Sequence, residues 1–135
     1  GMRDQAFKDL NNVAQHVAAA HGATVITKIP DGEGNPVTYN NPELTQKSLP
    51  SLKRVAGADN VVEMTLTTGA EDFAYYAKEV PGFYFFVGAT PKGQDANTAP
   101  SNHSPKFFLD ESALPLGTRA LLQVSLDYLN GANDG

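Results

Sequence analysis

Cysteine is absent from all 135 residues. That excludes disulfide bonds, thiolate metal sites and a cysteine nucleophile. Positive charge is scarce as well: 10 Lys and Arg stand against 15 Asp and Glu, a formal net charge of -5, spread without long runs. With no basic stripe to neutralise phosphates, no nucleic acid is expected as a partner. Long apolar runs are also missing. Nothing approaches the roughly 20 residues of a membrane-spanning helix, and the N-terminus has neither the basic region nor the apolar core of a signal peptide. No membrane partner and a cytoplasmic location are the corresponding expectations. What the chain does have is 41% hydrophobic residues, enough for one ordinary domain with a core.

Taken in order, the pattern alternates between helix and strand. From Asp4 to His21, Phe7, Leu10, Val13, Ala14, Val17 and Ala18 recur at helical steps, and Gly22 supplies a stop. Ala23 to Ile29 is a β-branched run suited to a half-buried strand, and residues 31–36 break it as a loop. Asn41 followed by Pro42 is a helix start, with Leu44, Leu49, Leu52 and Val55 facing inward and a kink or early break expected at Pro50. Val61 to Thr68 reads as a strand, and Glu71 to Val80 as a short helix with Phe73, Ala74, Tyr76, Ala77 and Val80 on its apolar side. The aromatic run Phe83 to Gly88 reads as a strand buried on both faces, the expected centre of the core. Residues 89–102 are loop. A last helix begins near Ser112, with Leu114, Ala120, Leu121, Val124, Tyr128 and Leu129 inward, and the tail 130–135 frays. An α/β arrangement follows.

Two stretches hold most of the chemistry: the loop Ser101-Asn102-His103-Ser104-Pro105-Lys106-Phe107 and the cluster Gly69-Ala70-Glu71-Asp72-Phe73. The two phenylalanines after His103 suggest an imidazole held beside a core. That imidazole is open to three readings: a metal ligand, a general base, or a loop residue bonding a carbonyl, and the last is the simplest for a lone histidine. Glu71 and Asp72 at a helix start are explained by the helix dipole alone. The functional alternative has the N–H groups of Gly69 and Ala70 bind a substrate carboxylate while Glu71 lines a cleft. His16 and His21 lack the four-residue spacing of a helical metal pair, and Ser101 and Ser104 lack the glycine-framed elbow of a serine hydrolase.

Four segments, in matching order, carry a family resemblance: Ala18-Ala-Ala-His-Gly-Ala23 before a strand; Pro36-Val-Thr-Tyr-Asn-Asn-Pro-Glu-Leu44; Gly69-Ala-Glu-Asp-Phe-Ala-Tyr-Tyr76 with Val80-Pro-Gly82 and Phe85-Phe-Val-Gly88; and His103-Ser-Pro-Lys-Phe107 with Asp110-Glu-Ser-Ala-Leu-Pro-Leu-Gly117. Together they resemble the C-terminal portion of the aminoacylase and carboxypeptidase-type zinc peptidases, in the amidohydrolase branch that includes hippurate hydrolase. The lead-in Leu66-Thr67-Thr68 differs from the methionine-containing one common in that branch.

The resemblance implies a partial catalytic domain of the zinc-peptidase α/β fold carrying one helix and one strand of the lid: residues 1–35 as the lid remnant and 36–135 as the end of the catalytic domain. It implies hydrolysis of an amide bond in a small N-acyl amino acid by metal-activated water. His103 would be a ligand of one of two divalent ions, zinc or manganese, and Gly69, Glu71 and Asp72 would line the substrate cleft. The family's other metal motifs and its glutamate base have no counterpart in this sequence. A catalytic zinc takes about three protein ligands, so the chain alone is expected to hold no metal, to contain no catalytic base and to be inactive. It would act as a fragment requiring the N-terminal half. The rival expectation is a noncatalytic module reusing half of the fold, self-associating through an unpaired sheet edge or apolar helix faces as a homo-oligomer.

Overall fold

The computed structural model describes residues 1–30, 32 and 34–133. The chain divides into two compact units, Gly1–Pro36 and Val37–Gly135. Among the described residues there are four α-helices and one short 3-10 turn, and no strand.

In the first unit, helix α1 spans Met2–Ala20, is capped by His21, and is ended by Gly22 at φ 68°. Its half-buried positions are Phe7, Asn11, Ala14 and Ala18, one stripe at steps of three and four. Leu10, Val13 and Val17, expected on the inward stripe, are instead 53%, 59% and 55% exposed. The reason is polar. Asn11 donates from Nδ2 to the Ile29 carbonyl (2.9 Å), and its Oδ1 accepts from the Thr27 hydroxyl. Gln15 Nε2 reaches the Val25 carbonyl (3.1 Å), and Arg3 Nη1 the Asn35 carbonyl (2.7 Å). Side chains at four-residue multiples along the helix therefore satisfy carbonyls of the following segment. Burial alternates over Val25, Thr27 and Ile29, as a half-buried strand requires. The expected strand 23–29 nonetheless has no ladder, because its hydrogen bonds go to helix side chains. In the loop expected over 31–36, positions 31 and 33 lie outside the described residues.

The second unit is organised by two helices. Helix α2, Pro42–Ala56, starts where Asn41 Oδ1 accepts from the Leu44 N–H (2.9 Å) with proline at the first position. Of the kink or early break expected at Pro50, the early break does not occur: the helix continues through it. Pro50 lies on the exposed side, while Ser48, Ser51 and Leu52 around it are buried, and packing on the last helix outweighs one lost backbone bond. That last helix, α4, spans Ala113–Leu129 and packs against α2; helix α3, Phe73–Glu79, lies between them in sequence.

A polar network joins α2 to α4. The Ser51 hydroxyl, fully buried, donates to Asp127 Oδ2 (2.6 Å) and accepts from Asn133 Nδ2 (2.8 Å). Gln123 Nε2 donates to Asp127 Oδ1 (2.9 Å), and Arg54 pairs with Oδ2. The Ser51 and Gln123 hydrogen bonds, followed by Arg54, hold the Asp127 carboxyl below its ordinary pKa against the opposing effect of burial.

Three expectations of burial are corrected here. Leu114, Leu121, Tyr128 and Leu129 of α4 are 59%, 62%, 65% and 77% exposed, because the face toward α2 is the one carrying Ala120, Val124 and Asp127. On α3, Ala74 is fully buried, but Tyr76 is exposed, as is Val80 just after the helix. The run 83–88 is no doubly buried strand: residues 83–85 are half-buried and Phe86 is 58% exposed, since no layer covers its second side. The expected strand 61–68 is corrected too: residues 62–70 are exposed and outside regular structure. Of the tail expected to fray, residues 131–133 form turns, and 134 and 135 lie outside the described residues.

Candidate functional site

The cluster 69–72 precedes α3 rather than opening it. The helix begins at Phe73 with Asp72 as its cap residue, and Asp72 makes no side-chain capping bond. Instead the Glu71 and Asp72 carbonyls accept from the N–H groups of Ala74 and Tyr75, both at 3.1 Å. Neither carboxylate belongs to the first helical turn, but Asp72 at the cap still lies at the positive end of the helix, where the dipole favours it. Gly69 and Asp72 are exposed and Glu71 is half-buried.

The group on which the Glu71 charge acts is Tyr84. Burial first, then the charge of the Glu71 carboxylate and its hydrogen bonding, push the Tyr84 hydroxyl above its ordinary pKa. Tyr84 is fixed from three directions. Its N–H donates to Asn40 Oδ1 and its carbonyl accepts from Asn40 Nδ2, both at 2.7 Å. Its ring lies 5.3 Å from Phe73, tilted by 43°, and 5.2 Å from Phe86, edge-on at 81°. Phe83 and Phe85 pair on the other side at 5.7 Å, and this alternation of partners is that of an extended chain. Just upstream, the Asn41 N–H donates to the Gly82 carbonyl (2.8 Å). Gly82 is buried so closely against α3 that a Cβ there would sit 2.9 Å from Phe73 Cζ and 3.1 Å from Ala77 Cβ.

Asn40 and Tyr84 were missed in the sequence. Asn40 passed as a neighbour of the cap residue, and Tyr84 as one aromatic in a core run; their partnership spans 44 residues and leaves no local signal.

The loop bearing His103 is closed at its neck, where the Asp110 N–H donates to the Ala89 carbonyl (2.8 Å). Asp110 Oδ1 accepts from the Ser112 N–H (2.9 Å). The Ser112 side chain and backbone, with Lys92 adding a smaller effect, hold the Asp110 carboxyl below its ordinary pKa. Within the loop, Asp95 Oδ1 accepts from the Asn97 N–H (2.9 Å), and the Thr98 and Ala99 N–H groups donate to the Asp95 carbonyl. His103 occupies the turn closed by the Ser104 N–H and the Ser101 carbonyl (2.9 Å), followed by the turn from the Phe107 N–H to the Ser104 carbonyl (3.0 Å). The imidazole is exposed. The core expected beside it is absent, because Phe107 and Phe108 are 42% and 70% exposed; backbone turns, not apolar packing, set its place. Among the described residues no three His, Cys, Asp or Glu side chains come together as a metal site, so the residues present do not complete one around His103. Nor is any helix long and apolar enough to cross a membrane among them.

Comparison with known proteins gives this arrangement its context. Residues 11–127 match the model of peptidase family M20/M25/M40. The chain is similar to thermostable carboxypeptidase 2 of Saccharolobus solfataricus, with 31% identity across 96% of this chain and 31% of the relative. It is 30% identical to the putative amidohydrolase YhaA of Bacillus subtilis, across 94% of this chain and 31% of that protein. It is 35% identical to IAA-amino acid hydrolase ILR1-like 4 of Arabidopsis thaliana, across 73% of this chain and 24% of that protein. The chain thus spans a third or less of the length of these relatives. With a family match over most of its length, and with relatives of this similarity, the chain belongs to peptidase family M20/M25/M40.

Proposed function

We propose that the chain is the C-terminal third of a metal-dependent amidohydrolase that cleaves the amide bond between an acyl group and an amino acid. The observation that carries this reading is the run His103-Ser104-Pro105-Lys106-Phe107 followed by Asp110 to Gly117. It has the form of the amidohydrolase terminal signature and lies in a chain whose relatives include a putative amidohydrolase and an amino acid conjugate hydrolase.

On this reading His103 is one ligand of a divalent ion, zinc or manganese. The other ligands and the general base come from polypeptide outside this chain. Gly69, Glu71 and Asp72 line the cleft that takes the N-acyl amino acid, with Glu71 near enough to the Tyr84 hydroxyl to raise its pKa. Residues 1–35 belong to the lid, residues 36–135 to the end of the catalytic domain, and the α/β sheet is completed by the missing part. The chain's own contribution is to present an accessible imidazole and to shape one wall of the cleft.

The test is a chimera in which this chain replaces its matching stretch of the Bacillus subtilis relative, assayed on N-acyl amino acids such as hippurate with zinc or manganese. The expected result is hydrolysis that His103→Ala abolishes. Hydrolysis unchanged by His103→Ala would remove the metal-ligand assignment. The isolated chain is expected to show no turnover, and turnover by it that His103→Ala abolishes would refute the assignment of the remaining ligands to other polypeptide.

A further inference from the structure

Where α2, α4 and the tail meet, the hydrogen bonds do not all close. Lys47 and Ser48 of α2, Val124, Asp127 and Tyr128 of α4, and Asn133 of the tail line a small cavity there. Ser51 beside it in sequence is saturated: its hydroxyl donates to Asp127 Oδ2 and accepts from Asn133 Nδ2 and, at 3.3 Å, from Arg54 Nη2. Ser48 is not. It is 4% exposed, yet its hydroxyl, a donor with two lone pairs, has no hydrogen-bond partner among the described residues.

The count at Asp127 ends in the same way. A carboxylate has about four acceptor sites; Oδ2 serves Ser51 and Arg54, whereas Oδ1 serves Gln123 alone. Asn133 uses one N–H on Ser51 and keeps its second N–H and its carbonyl oxygen. Two helices and the tail therefore each bring unused hydrogen-bonding capacity to one space.

Size and charge decide what fits that space. Its volume is about 10 Å³, close to the least that holds one water, which also needs about two to four polar partners. An anion would meet the Asp127 carboxylate. A metal cation such as calcium would need roughly six oxygen ligands, while the carboxylate is already paired with Arg54 and Lys47 stands in the same wall. A neutral molecule that both donates and accepts satisfies the lining, and nothing larger than water has room.

We propose that this cavity is a hydration site, in which one ordered water donates to Asp127 Oδ1 and bonds the Ser48 hydroxyl and the Asn133 carboxamide. The tail is held directly by the Asn133 bond to Ser51 and by the Ala132 N–H, which donates to the Asp127 carbonyl (3.0 Å). The water adds a further tie, through Ser48, and joins the tail to both helices at one point.

Nuclear Overhauser effects between water and the Val124 methyl groups of the methyl-labelled chain test this. A long-lived water gives laboratory-frame and rotating-frame effects of opposite sign, and that signature is expected in the wild type. Ser48→Val, which removes a partner and fills the space, should abolish it and speed exchange of the Ala132 amide about fivefold, the fold-change that one net hydrogen bond corresponds to. Asn133→Ala alters only the tail, and should abolish the signature as well. Because it keeps the Ser48 and Tyr128 hydroxyls, whose protons also exchange with solvent, loss of the signal in Asn133→Ala assigns it to the water rather than to them. A wild type without the signature would overturn the proposal. So would a signature that survives Asn133→Ala, or an Ala132 amide whose exchange does not change in a folded Ser48→Val; if Ser48→Val does not fold, Asn133→Ala decides alone.

Discussion

Replacing Asn40 probes the least conventional part of the candidate site, because one carboxamide serves both backbone groups of Tyr84 at 2.7 Å. In Asn40→Ala both groups lose their partner. A typical hydrogen bond contributes about 1 kcal/mol net, and an abandoned buried group costs about 1–3 kcal/mol. Asn40 and Tyr84 are half-buried, so water reaches part of the gap and the low end applies, about 2 kcal/mol for the pair of bonds. With a urea dependence of about 2 kcal/mol per molar, the unfolding midpoint should fall by about 1 M. Asn40→Asp separates the two bonds. Its carboxylate still accepts from the Tyr84 N–H but faces the Tyr84 carbonyl with no proton to donate. The folded state therefore favours the protonated acid and raises the pKa of the new group. A raised pKa gives stability that is present at low pH and lost as pH rises through the folded value. Relative to wild type at the same pH, Asn40→Asp should approach wild-type stability near pH 4 and Asn40→Ala stability at pH 7. Urea titrations at the two pH values, with hydrogen exchange at the Tyr84 amide as a local probe, measure both effects. An unchanged midpoint in Asn40→Ala, or an Asn40→Asp deficit that does not shrink in acid, would refute the clamp.

Two further outcomes follow from the packing. Gly82→Ala forces a Cβ to within 2.9 Å of Phe73 Cζ and should cost about 1–3 kcal/mol by overpacking, read as a lower urea midpoint together with altered near-ultraviolet circular dichroism of the Phe73–Tyr84 pair. Asp127 has its folded pKa depressed by Ser51, Gln123 and Arg54, so its contribution is present above the unfolded carboxylate value and lost as pH falls through the folded one; Asp127→Asn should lower stability at neutral pH and flatten the acid limb of a plot of urea midpoint against pH.

The helices were legible because their signals are local. Asn41 and Pro42 set the start of α2 through a bond to the Leu44 N–H, and Gly22 ends α1 with a positive φ; both act within one turn. Pro50 shows the limit of such reading, since a local penalty gave way to the burial of Ser51 and Leu52 against α4. Burial on α4 was legible only in part. With leucines on every side, periodicity does not say which face meets α2, and the face that does so carries Asp127, a residue no hydrophobic pattern would place inward. The site divides in the same way. His103 gained meaning from its sequence neighbours, whereas Tyr84 became visible only once Asn40 was brought beside it.

The two strand-like runs of the second unit put the same point physically. Residues 83–86 and 62–66 both have the composition of strands, yet among the described residues only the first has partners: the Asn40 carboxamide on Tyr84 and the Phe73 ring against it, with the Asn41 N–H on the adjoining Gly82. A helix closes its hydrogen bonds within its own sequence, but a strand is completed by whatever lies alongside. Asn40 does at one residue what a neighbouring strand does along its length, and that fixes the Tyr84 backbone without a ladder. Among the described residues nothing gives 62–70 such a substitute, and their difference from 83–86 lies in what the chain places next to them rather than in their own composition.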